Sequence, residues 1–179
     1  MVASAAAIQE VSARIYEVVH SMMQRLRPGI LDDLGLVVTL KEEVNAWQER
    51  QPDTLYKLSI NNDLPDLGED VNITLYRIVQ ECLTNIAKYA QAHHVTVSLD
   101  IVDETRVNEA WKASGHSVRL VIQDDGVGMN VETRGPGLGV IGVRERVEGF
   151  SGRFSLTSQP GQGTTIIVDL PLTSAISGA

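Results

Sequence analysis

Closely spaced glycines between residues 124 and 146 constrain the fold more strongly than any other feature of the chain. The stretch reads Asp-Asp-Gly-Val-Gly-Met, then a short polar run, then Gly-Pro-Gly-Leu-Gly-Val-Ile-Gly-Val-Arg-Glu-Arg. Asp124 stands where an apolar strand ends. Glycine lets a ligand approach the backbone closely, and rows of N–H groups that run into a helix N-terminus bind anions. A carboxylate followed by such a loop predicts a nucleotide site, with the carboxylate on the base and the loop on the phosphates.

Composition limits the class of protein. The chain has 179 residues, of which 43% are apolar, enough for one packed domain with a small appendage. The net charge of −8 argues against a nucleic-acid partner, because few phosphates could be neutralised. Cys82 is the only cysteine in the sequence, which excludes an internal disulfide and a thiolate metal site.

Targeting signals are not found in the sequence. The longest apolar runs are too short to cross a bilayer, and the first residues lack the basic and apolar regions of a signal peptide. With a single cysteine, these features predict a cytoplasmic domain.

The first part of the chain predicts two helices. Apolar residues recur at steps of three and four from Ala5 to Leu26, and Pro28 follows directly. An apolar stripe on this lone leading helix predicts that it packs against another copy or against a segment missing from this chain. A turn over Arg27–Leu36 then leads into a second helix over Leu36–Arg50.

A third predicted helix, Asp70–Ala90, carries a polar trio. Glu81, Asn85 and Lys88 fall within a sector of about 60°, beside the apolar stripe of the helix. A carboxylate, an amide and an ammonium group suit a divalent metal on nucleotide phosphates. An exposed polar face with a helical salt bridge explains the trio equally well at this point.

Alternation of apolar and polar residues predicts the sheet. The strand segments are Tyr56–Ile60, Val95–Ile101, Val118–Ile122, Phe154–Leu156 and Ile166–Leu170. A short helix is predicted at Val140–Phe150, after the glycine stretch. Late strands in hairpins and few helices predict an α+β domain, with helices on one face of a mixed sheet.

The glycine stretch has two other interpretations. Gly137–Gly142 matches G-x-G-x-x-G, but a dinucleotide fingerprint follows a strand directly and opens a βαβ unit, whereas a polar run precedes this one. A purely structural turn explains Asp124–Gly126, since Asp-Gly is turn chemistry. It leaves the later glycines and the polar trio unexplained.

Several motifs in this order resemble the GHKL ATPase superfamily. Glu81–Ala90 resembles its N box, Asp124–Gly128 its D-x-G-x-G box, and Gly161–Thr164 its last turn. Gly135–Val147 resembles G-x-G-x-G-L-x-G-M-R-E-R-V, which is typical of sensor histidine kinases of the NarX/UhpB/DesK-like class. Arg27–Leu36 is similar to the signature after the second dimerisation helix of that class.

The resemblance implies a Bergerat ATP-binding fold: a mixed, mostly antiparallel sheet backed by helices on one face, preceded by a helix of the dimerisation region. It implies that Asp124 accepts the adenine amino group, that Asn85 and Glu81 hold Mg²⁺, and that Lys88 neutralises phosphate charge. Glu81, Asn85 and Lys88 are the implied catalytic residues. The implied nucleotide contacts are Asn85, Lys88, Tyr89, Asp124, Gly126, Gly128, Gly137, Leu138, Gly139, Val140, Gly142 and Thr164.

Three positions depart mildly from the family pattern. Val140 and Val143 stand where Leu and Met are usual, and Tyr89 stands where His is common. These changes should alter packing, not chemistry. A fourth departure is larger: the family's phosphoacceptor is a histidine followed by an acidic residue, and none of the four histidines here has that neighbour.

The chain is therefore expected to be a fragment that binds ATP but cannot phosphorylate itself. The implied divisions are 1–35 for the second dimerisation helix with its connecting turn, 36–172 for the ATP-binding domain, and 173–179 for a tail. The implied partners are the phosphoacceptor helix of a homodimeric parent, which can be anchored in the inner membrane, and a LuxR/NarL-type response regulator.

Two other functions remain open. A nucleotide-gated interaction module would bind ATP without phosphotransfer. GHKL relatives that phosphorylate serine on a protein fit the boxes but not the Arg27–Leu36 signature.

Overall fold

The computed structural model describes residues 29–61, 63–103, 115–130 and 137–172. The predicted leading helix over Ala5–Leu26 and the predicted tail lie outside these residues. Within the described part of the chain, no helix combines the length and apolar character that a bilayer span requires.

The order of elements matches the predicted order. Three helices and five strands are described: α1 (Gly29–Arg50), β1 (Leu55–Ile60), α2 (Glu69–Tyr89), β2 (His94–Asp103), β3 (His116–Asp124), α3 (Leu138–Gly149), β4 (Arg153–Ser158) and β5 (Thr164–Pro171). From residue 36 onward each predicted helix and strand is confirmed, and most ends move by one to three residues.

The predicted turn before the second helix is partly wrong. Residues from Gly29 are already helical, and α1 is broken at Gly35, whose φ of 75° and ψ of 171° are not helical. The Thr39 hydroxyl donates to the Gly35 carbonyl at 2.8 Å and secures the restart of the helix. Leu31 is buried in the core, so an additional helical turn forms before the break.

The five strands form one sheet in the order β1-β2-β3-β5-β4. β1 runs parallel to β2, and the other three pairings are antiparallel. This mixed, mostly antiparallel sheet confirms the predicted α+β class.

One face of the sheet carries the core. Because side chains alternate along a strand, β2, β3 and β5 each send every second residue to this face: Val95, Val97, Leu99, Val118, Leu120, Ile122, Ile166, Val168 and Leu170. The buried stripe of α2 packs against them, from Leu75 to Ile86, together with residues of α1 and α3. The helices therefore back one face, as predicted.

The opposite face carries a buried ion-pair cluster. Asp169 lies between two core residues of β5 and so points away from the helices. Its carboxylate accepts hydrogen bonds from Nε and Nη2 of Arg119 at 2.6 and 3.0 Å, and from Nη2 of Arg153 at 3.2 Å. The cluster ties β3, β5 and β4 together on the side that α2 does not cover.

We expect Asp169→Asn to lower the free energy of unfolding by about 2 kcal/mol. The single oxygen of a buried amide cannot accept the hydrogen bonds of both guanidinium groups. Urea unfolding measures the change. Asp53→Asn, an exposed turn position, is the control and should stay within about 0.5 kcal/mol of wild type. Equal effects of the two substitutions would show that the cluster contributes nothing beyond surface charge.

Candidate functional site

Asp124, the last residue of β3, is a buried carboxylate at the edge of the core. It shares the core face with Leu120 and Ile122, and its exposed fraction is 4%. Its Oδ1 accepts the backbone N–H of Gly126 at 2.9 Å, and its carboxylate also accepts the backbone N–H of Thr164. The alternation of side chains along β3 thus places the Asp124 carboxylate among apolar residues, at the point where the strand ends and the D-x-G-x-G loop begins.

The environment of Asp124 sets its protonation. Burial raises the pKa of this carboxyl above its usual value, the two backbone N–H groups oppose that rise, and the negative charge of Asp125 adds to it. An ionised carboxylate at such a position gains from each further hydrogen-bond donor that approaches it. This is the chemistry required to bind an amino group of a ligand.

Glycines allow three backbone segments to meet beside Asp124. A methyl group on Gly126 would overlap the carbonyl oxygen of Ala90 at the end of α2, and one on Gly163 would overlap the carbonyl oxygen of Asp124. Hydrogen bonds join the same segments, from Val127 N–H to Ala90 and from Gly163 N–H to Gly126, at 2.7 and 2.9 Å. The loop after β3 is therefore held between α2 and the hairpin turn.

Gly128 extends this contact. Its φ is 59°, and a methyl group there would overlap the carbonyl oxygen of Gln159 in the turn between β4 and β5. Gly161 N–H donates to the carbonyl of Val127 at 2.7 Å. The hairpin turn thus covers one side of the D-x-G-x-G loop.

Asp125 fixes the loop from the outside. Its Oδ1 accepts the backbone N–H groups of His93 and His94 at 2.7 and 2.8 Å, and Oδ2 lies 2.7 Å from Nδ1 of His94. These bonds to His94 and His93 lower the pKa of Asp125 to about 2. Two neighbouring carboxylates therefore differ in role: Asp125 ties the loop to the start of β2, and Asp124 faces inward.

A second polar cluster lies on α2. Asn85 Nδ2 donates to Glu81 Oε1 at 3.1 Å, as the spacing of four residues allows. A methyl group on Gly139, in the first turn of α3, would overlap Glu81 Oε1 and lie 3.1 Å from Asn85 Nδ2. Gly139 thus lies directly over this pair. Asn85 and Ala90 are about 7.5 Å apart along the helix axis, so α2 links the two clusters.

The remaining predicted residues belong to α2 and to the start of α3. Lys88 is exposed in the last turn of α2, and the Tyr89 side chain is 70% exposed. Gly137 precedes the first residue of α3, Leu138 is 69% exposed, and Val140 is buried. The Gly142 carbonyl accepts Nη1 of Arg146 at 3.2 Å.

The structure adds residues that the sequence did not single out as site residues. Gly163 and Ser158 belong to the hairpin that covers the loop, and Ser158 Oγ accepts the N–H of Met129 at 2.8 Å. The position of Ser158 just before the turn at Gln159–Gly163 is the only sequence signal for it. Pairing of the strands, which that signal does not give, is what brings it to the site.

The described residues also contain a groove that lies apart from the two polar clusters. Among the described residues, no group of three or more His, Cys, Asp or Glu side chains converges as a metal site would. An open groove of about 670 Å³ lies between α1 and β1, lined by residues such as Val37, Lys41, Tyr56 and Leu64. It shares no lining residue with the two polar clusters.

Comparison with known proteins agrees with this geometry. The family model described as "Histidine kinase-, DNA gyrase B-, and HSP90-like ATPase" matches residues 70–174. The match begins in α2 and runs past β5, and so includes both polar clusters.

Two curated relatives are signal transduction histidine kinases by name. "Signal transduction histidine-protein kinase/phosphatase DegS" of Brevibacillus brevis is 33% identical over 163 residues, 87% of this chain and 37% of that protein. "Signal transduction histidine-protein kinase/phosphatase UhpB" of Salmonella typhimurium is 32% identical over 164 residues, 92% of this chain and 30% of that protein. The chain thus spans about a third of these relatives, and they confirm the predicted resemblance.

Solved structures show the same fold. The Acinetobacter baumannii histidine kinase AdeS matches with a TM-score of 0.62 at 14% identity, over 93% of this chain and 84% of that one. The Erythrobacter litoralis EL346 blue-light activated histidine kinase matches with a TM-score of 0.59 at 22% identity, over 78% and 42%. Since the family model matches more than half of its residues, the chain belongs to the histidine kinase-, DNA gyrase B- and HSP90-like ATPase family.

Proposed function

We propose that this chain binds Mg-ATP across the two polar clusters. Asp124 and Thr164 hold the adenine base, and Asn85, Glu81 and Lys88 lie toward the phosphates. The observation that carries this proposal is the position of α2, which bears Glu81 and Asn85 beneath Gly139 and touches the Asp124 loop through Ala90. A single ligand with an amino-bearing base and a charged phosphate tail fits both clusters, with its base at Asp124 and its phosphates toward Asn85.

The donor set fits magnesium. Asn85 uses its amide nitrogen to contact Glu81, so the amide oxygen is the atom that can ligate a cation. Mg²⁺ prefers oxygen ligands and is usually held by one or two protein groups together with waters and substrate phosphates. When bound, it would neutralise charge on the phosphates. The main-chain N–H groups of the glycine stretch and the ammonium of Lys88 would assist it.

The reaction that we propose is transfer of the γ-phosphoryl group from ATP to a histidine nitrogen on a dimerisation helix of the parent protein. The phosphoryl group is then passed to a response regulator of the LuxR/NarL type. The names of the relatives and the family match support this proposal. Catalysis of this kind depends mostly on positioning and charge neutralisation, which the residues of α2 and the glycine stretch can supply.

The proposed acceptor can be tested in trans. The chain is mixed with the dimerisation segment of its parent and with ATP labelled in the γ-phosphate, and label on histidine is followed. Transfer that is lost when the acceptor histidine is changed to alanine supports the kinase. Binding of ATP without transfer would instead support a nucleotide-gated interaction module.

We expect Asn85→Ala to remove the gain in affinity that Mg²⁺ gives to a non-hydrolysable ATP analogue, a loss of at least about tenfold. Calorimetric titration with and without Mg²⁺ separates this effect from base binding, which should persist. Asn72→Ala, on the first turn of the same helix, is the control and should keep the full Mg²⁺ effect. An Asn85→Ala chain with an unchanged Mg²⁺ dependence would exclude Asn85 as a ligand.

A further inference from the structure

Three polar side chains form a row across the ends of three strands. Thr164 of β5 is paired with Asp124 of β3 on one side and with Ser158 of β4 on the other. Directly opposite residues of antiparallel strands project to the same face. The Thr164 side chain is therefore flanked on this face by the side chains of Asp124 and Ser158, at the edge of the proposed base site.

The hydrogen bonds of Ser158 fix the direction of this row. A serine hydroxyl has one proton to donate and two lone pairs that accept. Ser158 Oγ donates to the Gly163 carbonyl at 2.8 Å, accepts the N–H of Met129 at 2.8 Å, and lies 3.1 Å from Thr164 Oγ1. Since the Ser158 hydroxyl donates its only proton to the Gly163 carbonyl oxygen, Ser158 can interact with Thr164 only as an acceptor.

This assignment sets the polarity of Thr164. The Thr164 proton is directed to Ser158, so the Thr164 oxygen presents lone pairs to any group that enters the site. Asp124, on the same face, is also an acceptor when ionised. The edge of the site next to these residues therefore offers two acceptors side by side.

We propose that Ser158 is a positioning residue that determines base specificity. By holding the Thr164 hydroxyl as an acceptor beside Asp124, it selects a base that carries its exocyclic amino group at C6, as adenine does. A base with a carbonyl oxygen at that position, such as hypoxanthine or guanine, meets two acceptors and is rejected. This inference rests on the proposed nucleotide site.

The test compares ADP with inosine diphosphate, which replaces the amino group of the base by a carbonyl oxygen and leaves the ribose and phosphates unchanged. We expect Ser158→Ala to lower the ratio of ADP to inosine diphosphate affinity by about tenfold, because the freed Thr164 hydroxyl can rotate and donate. Ser158→Thr keeps the hydroxyl and should preserve the ratio. Calorimetric titration gives both affinities.

A double-mutant cycle isolates the pathway through Thr164. We expect Thr164→Val alone to lower the ratio, and Ser158→Ala to add nothing to it in that background. The Thr164→Val chain also tests the proposal if Ser158→Ala does not fold. A ratio that Thr164→Val leaves unchanged would overturn the role of the hydroxyl.

The outcomes separate specificity from structural support. If Ser158 has only a structural role, its substitution should weaken the binding of both nucleotides equally and leave the affinity ratio at its wild-type value. That result would overturn this inference alone. A wild-type chain that binds neither ADP nor inosine diphosphate would overturn the proposed nucleotide site and this inference together.

Discussion

Replacement of Asp124 by asparagine is expected to lower the affinity for ADP by about 10- to 100-fold, the cost of losing a hydrogen bond to a charged acceptor. The carboxylate already accepts the backbone N–H groups of Gly126 and Thr164. An amide has one acceptor and one donor branch, so its NH₂ group must face either a backbone N–H or the amino group of the base. Either placement sets two donors against each other.

The fold should tolerate this change. Burial raises the pKa of Asp124, which means that the surroundings already disfavour the charge that asparagine removes. Asp53→Asn is the control, because it removes the same charge at an exposed turn position outside the loop. Calorimetry should show near wild-type affinity for Asp53→Asn. Equal losses in the two variants would mean that only the net charge of the chain matters.

Replacement of Gly163 by alanine is expected to destabilise the domain by at least about 3 kcal/mol and to abolish nucleotide binding. At a φ of 69° a side chain is strained by about 1–2 kcal/mol. The added methyl group would also overlap the Asp124 carbonyl oxygen, and neither backbone segment can move without opening β5 from β3. The proposed base site lies at this junction, so its residues would separate.

Gly161→Ala separates strain from overlap. Gly161 has a φ of 76°, but a methyl group there would have no heavy atom within 4 Å. The Gly161→Ala variant should therefore lose only the strain energy of about 1–2 kcal/mol from its free energy of unfolding. Its affinity for the nucleotide should be retained. Urea unfolding of both variants measures the difference. If the two alanine variants unfold at the same urea concentration, the contact between Gly163 and Asp124 does not hold the site together.

Local sequence patterns predict the elements and the two halves of the candidate site. The alternation of apolar and polar residues indicates which residues of each strand are buried. It also predicts the strand that ends at Asp124. Helical spacing brought Glu81 and Asn85 to the same side of α2, where they are joined at 3.1 Å. These properties depend on periodicity within one element, which the sequence carries directly.

Pairing between distant segments could not be predicted in this way. Insertion of β5 between β3 and β4 places Ser158 opposite Thr164, and alternation within each strand does not specify its neighbours. The approach of Gly139 to Glu81 depends on how α3 packs against α2. The sequence does not predict the helical turn before Gly35, because Pro28 and Gly29 signal a turn, whereas in the structure Leu31 is helical and buried.

The most direct test of the proposed site is a two-dimensional ¹H–¹⁵N NMR titration of the chain with a non-hydrolysable ATP analogue and Mg²⁺. The amide signals of Gly126, Gly163 and Thr164 should shift together at one protein-to-ligand stoichiometry, while those of Val37 and Tyr56 in the groove between α1 and β1 stay in place. Shifts confined to the groove, or no shifts at saturating ligand, would contradict a nucleotide site built around Asp124.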